Sequence, residues 1–210
     1  EDVNKTLDEL NTYADKTIYN FTEMTRNIGT FTAAGVDLDT SAQAIKGIAN
    51  LAAMSGSSSQ QASAAMYQLS QAIAAGRVNL QDWNSVVNAG MGGQVFQDAL
   101  KRTAKAMGKN VDEAQSFRES LSDKDGTGWL TSDVLLETLK EFTGDMSEAE
   151  LRAQGYTESQ IKDIMSMAQT AQDAATKVKT FTQLVDTLKE ALGSGWTQTW
   201  EIVIGEFNEA

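Results

Sequence analysis

Not one of the 210 residues is proline, although average usage of about 5% would place roughly ten in a chain this long. Proline disrupts helix interiors above all, because it removes a donor and clashes with the preceding turn. A chain that excludes it while using Ala, Leu, Gln and Glu freely is predicted to be helical almost throughout. Cysteine and histidine are also absent. That excludes disulfides, Cys/His zinc sites, cysteine nucleophiles, Ser-His-Asp triads and histidine bases together. Any enzyme built from this chain would have to run on carboxylates, Lys, Tyr or Ser.

Seventeen basic residues against 29 acidic ones give a net charge of −12. Such a surface repels nucleic acid and anionic lipid, and no run of Lys and Arg interrupts it. The charge is unevenly spread. Residues 40–99 hold only Lys46, Arg77, Asp82 and Asp98, and 47–76 hold no charge at all, whereas 123–165 carry ten acids against four bases. The expected organisation is therefore a small-residue helical half over 1–122 and an acidic helical half over 123–210, or one continuous domain combining them. The chain opens at Glu1 inside a helical pattern with no leader-like segment, as expected of a fragment of a longer protein.

Apolar residues at threes and fours predict a first helix over Glu1 to Ile28, broken at Gly29 and Gly35. Asp39-Thr40-Ser41 offers cap oxygens for a second helix ending near Met54, and Ser58 or Ser59 for a third ending near Gly76. A short helix opening at Asn79 or Asp82 carries Trp83. Gly90-Met91-Gly92-Gly93 is a candidate hinge. Helices are then expected over Val95 to Met107 and Val111 to Leu121, followed by one capped by Thr131, with Leu130 stapled onto Leu135. Ser147 with Glu150 and Thr157 with Gln160 have the spacing of capping boxes. From 157 to 192 nothing interrupts the helical pattern, and Ile164, Ala171, Val178, Val185 and Leu192 recur every seven residues. This helix would be roughly 50 Å long. Gly193-Ser194-Gly195 then leads into a last helix with Trp196 and Trp200 on one face. The expected fold class is all-α, with one long helix in the C-terminal half and no significant sheet.

Few constellations could carry chemistry. Asp123 to Leu130 imitates the start of a calcium loop, with oxygens at positions one, three and five and glycine at six, but Val134 stands where the bidentate Glu belongs. An acidic turn is the expected reading, and no metal site is assigned. Glu119-Ser120 matches the Glu-Ser pair of helical wall-degrading enzymes, which need a carboxyl of raised pKa in a saccharide groove. Glu158-Ser159 repeats the pair, so the match carries little information. The uncharged 47–76 stretch is punctuated by Ser, Gln and Gly, and mean hydropathy is −0.33, so a buried helical pair is expected rather than a span. The tryptophans Trp129, Trp196 and Trp200 fit core or interface anchors better than a stacking platform.

At Gln68-Leu-Ser-Gln-Ala-Ile-Ala-Ala-Gly-Arg-Val78, followed by Leu80 and Trp83, the chain resembles the tape measure domain of phage tail tape measure proteins. The resemblance continues through Gly128-Trp-Leu-Thr-Ser-Asp-Val-Leu-Leu-Glu-Thr-Leu139, Phe142-Thr-Gly144, Ala174 to Phe181 and Gly193-Ser-Gly-Trp-Thr-Gln-Thr-Trp-Glu201. It implies a virion structural protein of a phage or prophage tail, lying inside the tail tube and present in the host cytoplasm during assembly, whose length sets tail length. It brings no catalytic residues and no cofactor. The expected partners are tail tube, tail chaperone or tail-tip proteins and further copies of the chain. Nucleic acid is not expected as a partner, and membrane contact only at ejection. The candidate contact residues are Ile164, Ala171, Val178, Val185, Leu192, Trp196 and Trp200. The alternatives are a wall-degrading or a membrane-perturbing module used at DNA ejection.

Overall fold

The computed structural model describes residues 5, 8, 9, 11–13, 21–121 and 128–193, with backbone alone at 21–25 and 178–193. The fold is helical, and among the described residues there is no strand, only one isolated antiparallel bridge between Arg77 and Thr131. The described helices are α1 (Phe21–Ala33), α2 (Leu38–Met54), α3 (Ser59–Ala74), α4 (Leu80–Asn88), α5 (Gln94–Ala106), α6 (Phe117–Ser120), α7 (Ser132–Glu141), α8 (Glu148–Ala153) and α9 (Glu158–Gly193).

The helix that organises the rest is α2. Ala44, Ile45, Gly47, Ile48, Ala49, Leu51 and Ala52 are all buried, because α1, α3, α7 and α9 pack around it. From Gly47 onward α2 is enclosed on so many sides that no face is left to carry charge, which accounts for the first part of the uncharged stretch. Gly47 sets the closest approach: a Cβ built there would lie 2.0 Å from the Leu139 carbonyl oxygen of α7. Only a residue without a side chain lets the two backbones meet at that distance.

An aromatic cluster fills the space beside α2. The rings of Trp83 and Phe117 lie 4.4 Å apart, and Phe96 is 5.7 Å from Trp83. Phe142 meets Phe96 edge-on at 5.9 Å, and Trp129 meets Phe117 the same way at 5.6 Å. Such edge-to-face pairs contribute about 0.5–1.5 kcal/mol each beyond their buried area. Trp129 is thus a core residue. The principal core runs from Ile28 on α1 to Ala171 on α9, and a smaller one gathers Leu151, Tyr156, Ile161 and Ile164.

Capping chemistry sets most helix boundaries. Ser58 with Gln61, Ser147 with Glu150 and Thr157 with Gln160 form reciprocal capping boxes. Leu130 and Leu135 are both buried in the core, as the expected staple requires. The structure corrects four expectations. First, α1 runs through Gly29 and stops at Gly35, whose φ of +90° ends the helix. Second, α2 is capped by Asp37, whose carboxylate accepts from Thr40 N at 2.9 Å, rather than by residues 39–41. Third, Gly90 to Gly93 forms an anchored turn: Gly90 takes φ +77°, Met91 N donates to Val86 O at 3.0 Å, and the Met91 side chain is fully buried. Fourth, of the helix expected over 111–121 only Phe117–Ser120 forms. Asp112 turns back onto Ala114 N at 2.9 Å, Glu113 pairs with Lys105 and Lys101, and a Ser116–Glu119 capping box starts the helix late.

Candidate functional site

The last turn of α7 leaves carbonyls without helical partners, and side chains from two other helices supply the donors. Asn50 on α2 donates to Phe142 O at 2.9 Å, and Gln172 on α9 donates to Thr143 O at 2.6 Å. Tyr13 in turn donates to Asn50 Oδ1 at 2.7 Å, and Lys46 pairs with Asp145. These contacts line a groove of about 950 Å³ between α2, α9 and the side chains of Lys5, Asp8, Glu9, Thr12 and Tyr13, with Gln43, Gln169 and Asp173 also on its walls. Its charges are of both signs, and among the described residues no three metal-ligating side chains come together. The groove is a polar seam that anchors α9 and residues 142–146 to α2.

A second polar feature lies inside the molecule. Glu141 is 1% exposed, with Oε2 accepting from Arg102 Nη2 at 2.6 Å. Its Oε1 accepts from Thr103 at 2.9 Å and Tyr156 at 2.6 Å. Burial pushes its carboxyl above the ordinary range, against the pull of Arg102 and the hydroxyl donors. Burial and the neighbouring carboxylate also push the Tyr156 hydroxyl up. The cluster joins α5, α7 and the turn between α8 and α9, where the two cores meet. Sequence reasoning missed it. The available signal was Glu141 itself, a charge on the apolar Val134–Thr138 face of α7.

The carboxylates singled out from sequence are built for capping. Glu119 is exposed and accepts from Ser116 N at 2.8 Å and Ser116 Oγ at 2.6 Å, bonds that hold its carboxyl below the usual range. A catalytic acid needs the opposite shift. Glu158 is likewise held down, by Arg152 at 2.7 Å. Asp123 and Asp125 of the calcium-like turn lie outside the described residues.

Of the candidate contact residues, Ile164 packs in the smaller core and Ala171 in the principal one. Those two positions are filled by the domain's own side chains. Val178, Val185 and Leu192 lie on the backbone of α9, their side chains outside the described set, and Trp196 and Trp200 lie outside the described residues altogether. No described helix is long and apolar enough to cross a membrane.

Caps, a buried ion pair and a seam that anchors one long helix define a structural packing module. A family model described as tape measure protein matches residues 1–194, and the chain belongs to the tape measure protein family. Membership makes it a structural component of a phage tail. No curated protein and no solved structure matches the chain.

Proposed function

We propose that this domain acts in tail length determination and tail assembly, within the tail tube. The observation that carries the reading is α9, a 36-residue helix of which Ile161 to Ala175 is anchored in the cores while the backbone runs on to Gly193. At 1.5 Å per residue it measures about 54 Å. Beyond Ala175 the heptad stripe continues in sequence through Val178, Val185 and Leu192, and Trp196 and Trp200 follow it. This part of the stripe is the surface we assign to tube, tail-chaperone or tail-tip proteins.

The test is tail length by electron microscopy after inserting five heptads behind Lys177 in the parent protein, a site that leaves the anchored part of α9 in place. Tails about 50 Å longer are expected if the helix runs along the tail axis. Tails of unchanged length would remove the domain from the ruler.

A further inference from the structure

Residues 146–156, which carry α8, are held to the domain by few buried side chains. Only Leu151 and Tyr156 of this segment are buried. They close a small core with Ile161 and Ile164 of α9, flanked by Met146 and Ala106, whereas the principal core joins residues from α1 to α9. The other attachments are polar: Tyr156 donates to Glu141 Oε1 at 2.6 Å, and Gln154 donates to Glu137 on α7. Packing along this joint is incomplete. A cavity of about 70 Å³ lies among Glu141, Met146, Leu151, Ile164, Met165 and Gln172. Beside it Gln154 Oε1 and Arg102 Nε are buried without a hydrogen-bond partner. A void forfeits dispersion contacts, and an unpaired buried polar atom loses its hydration for nothing in return. Turns at Gly144 and Gly155, with φ of +77° and +91°, flank α8.

We infer that residues 146–156 form a strap that opens as a unit while α1 to α7 and the rest of α9 stay folded. Local opening follows the density of buried apolar contacts, so the segment closing the smallest core leaves first. Glu141 then loses the Tyr156 bond but keeps Arg102 and Thr103, so no uncompensated charge is left behind. Ala171 in the principal core and the bond from Gln172 to Thr143 O hold α9 on the domain. Opening bares Ile161 and Ile164, which stand three residues apart on one face of α9 and are 2% and 1% exposed under the closed strap. The strap is a cover over the first turns of α9, removable without unfolding the domain. That α9 acts as a ruler rests on the preceding reading; the opening of the strap does not.

The test is amide hydrogen exchange of the whole 210-residue chain, followed residue by residue by NMR. The Leu151, Gln154 and Tyr156 amides, all hydrogen-bonded within the strap, should share one opening constant, at least about 100-fold above that of the buried α2 amides. Low denaturant should move α2 strongly and the strap little, since opening the strap exposes little surface. Ile48→Val, in the principal core, should speed exchange in α2 about fivefold and leave the strap unchanged, because α2 stays packed when the strap opens. Tyr156→Phe removes a bond that both openings break, and should speed both by about tenfold. The chain has no cysteine, so Ile164→Cys supplies a single thiol whose labelling rate should follow the strap amides. Strap amides exchanging at the α2 rate, or Ile48→Val accelerating strap and α2 alike, would mean one cooperative unit and overturn the inference. So would strap amides indifferent to Tyr156→Phe, or a thiol labelled only as fast as α2 exchanges. None of these readouts involves tail length, so the ruler reading and this one fail separately.

Discussion

Gly47 and Glu141 hold the structure together by opposite means, one by lacking a side chain and the other by burying a charge. At Gly47 the obstacle to a Cβ is backbone, the Leu139 carbonyl, which cannot rotate away. Gly47→Val should therefore force α2 and α7 apart and destabilise the domain by about 3 kcal/mol or more, measured by chemical denaturation. At Glu141 the loss would be electrostatic. Glu141→Ala leaves the Arg102 guanidinium and the Tyr156 hydroxyl without their buried acceptor, and should cost about 3–5 kcal/mol in the same experiment. Neither residue was singled out by sequence reasoning, and for one reason. Their importance comes from what stands opposite them in space: Leu139 lies 92 positions from Gly47, and Arg102 is 39 positions from Glu141.

Helix limits, by contrast, depend on interactions three or four residues long, and these were largely legible. The boxes at Ser147 and Thr157 needed only local spacing. The failures also came from local chemistry, where one signal competed with another: Asp37 outcompeted Asp39, and Ser116 delayed a helix that apolar spacing alone placed six residues earlier. The same caps set the acid response. The Asp37 carboxyl is held below its usual 3.8 mainly by the bond from Thr40 N, and the Glu119 and Glu150 carboxyls below 4.5 by bonds from Ser116 and Ser147. A carboxyl with a depressed folded pKa contributes stability in full above its unfolded value and loses it as pH falls through the folded one. The contribution of these three caps should therefore be flat near neutrality and decline below about pH 4.5. Asp37→Asn keeps a capping oxygen without a titrating group, so it should match the wild type at pH 7 and decline less steeply in acid. Denaturation midpoints compared across that range would show it. Equal acid slopes would mean that the Asp37 cap does not titrate differently in the folded state.

At the scale of the molecule the question is whether the small-residue and acidic stretches can exist apart. Composition divides the chain near 122, but the side chains do not observe that line. Residues beyond it (Trp129, Leu130, Val134, Leu135, Leu139, Phe142 and Ala171) sit in the same core as α1 to α5. Val78 N donates to Leu130 O at 3.0 Å and Ser132 N to Gly76 O at 3.0 Å, so even the isolated bridge crosses the compositional boundary. Without those residues Trp83 and Phe117 would lose the Trp129 side of their cluster, and α2 would expose the apolar faces that α7 and α9 cover. Burying a large apolar side chain contributes roughly 1.5–3 kcal/mol, so losing several exceeds the 5–15 kcal/mol that holds a typical domain together. Residues 1–122 expressed alone should accordingly show no cooperative thermal transition by circular dichroism, while 1–193 melts in a single step. A sharp melt from 1–122 would mean that the first helices close a core of their own, with α7 and α9 docking onto it as an appendage.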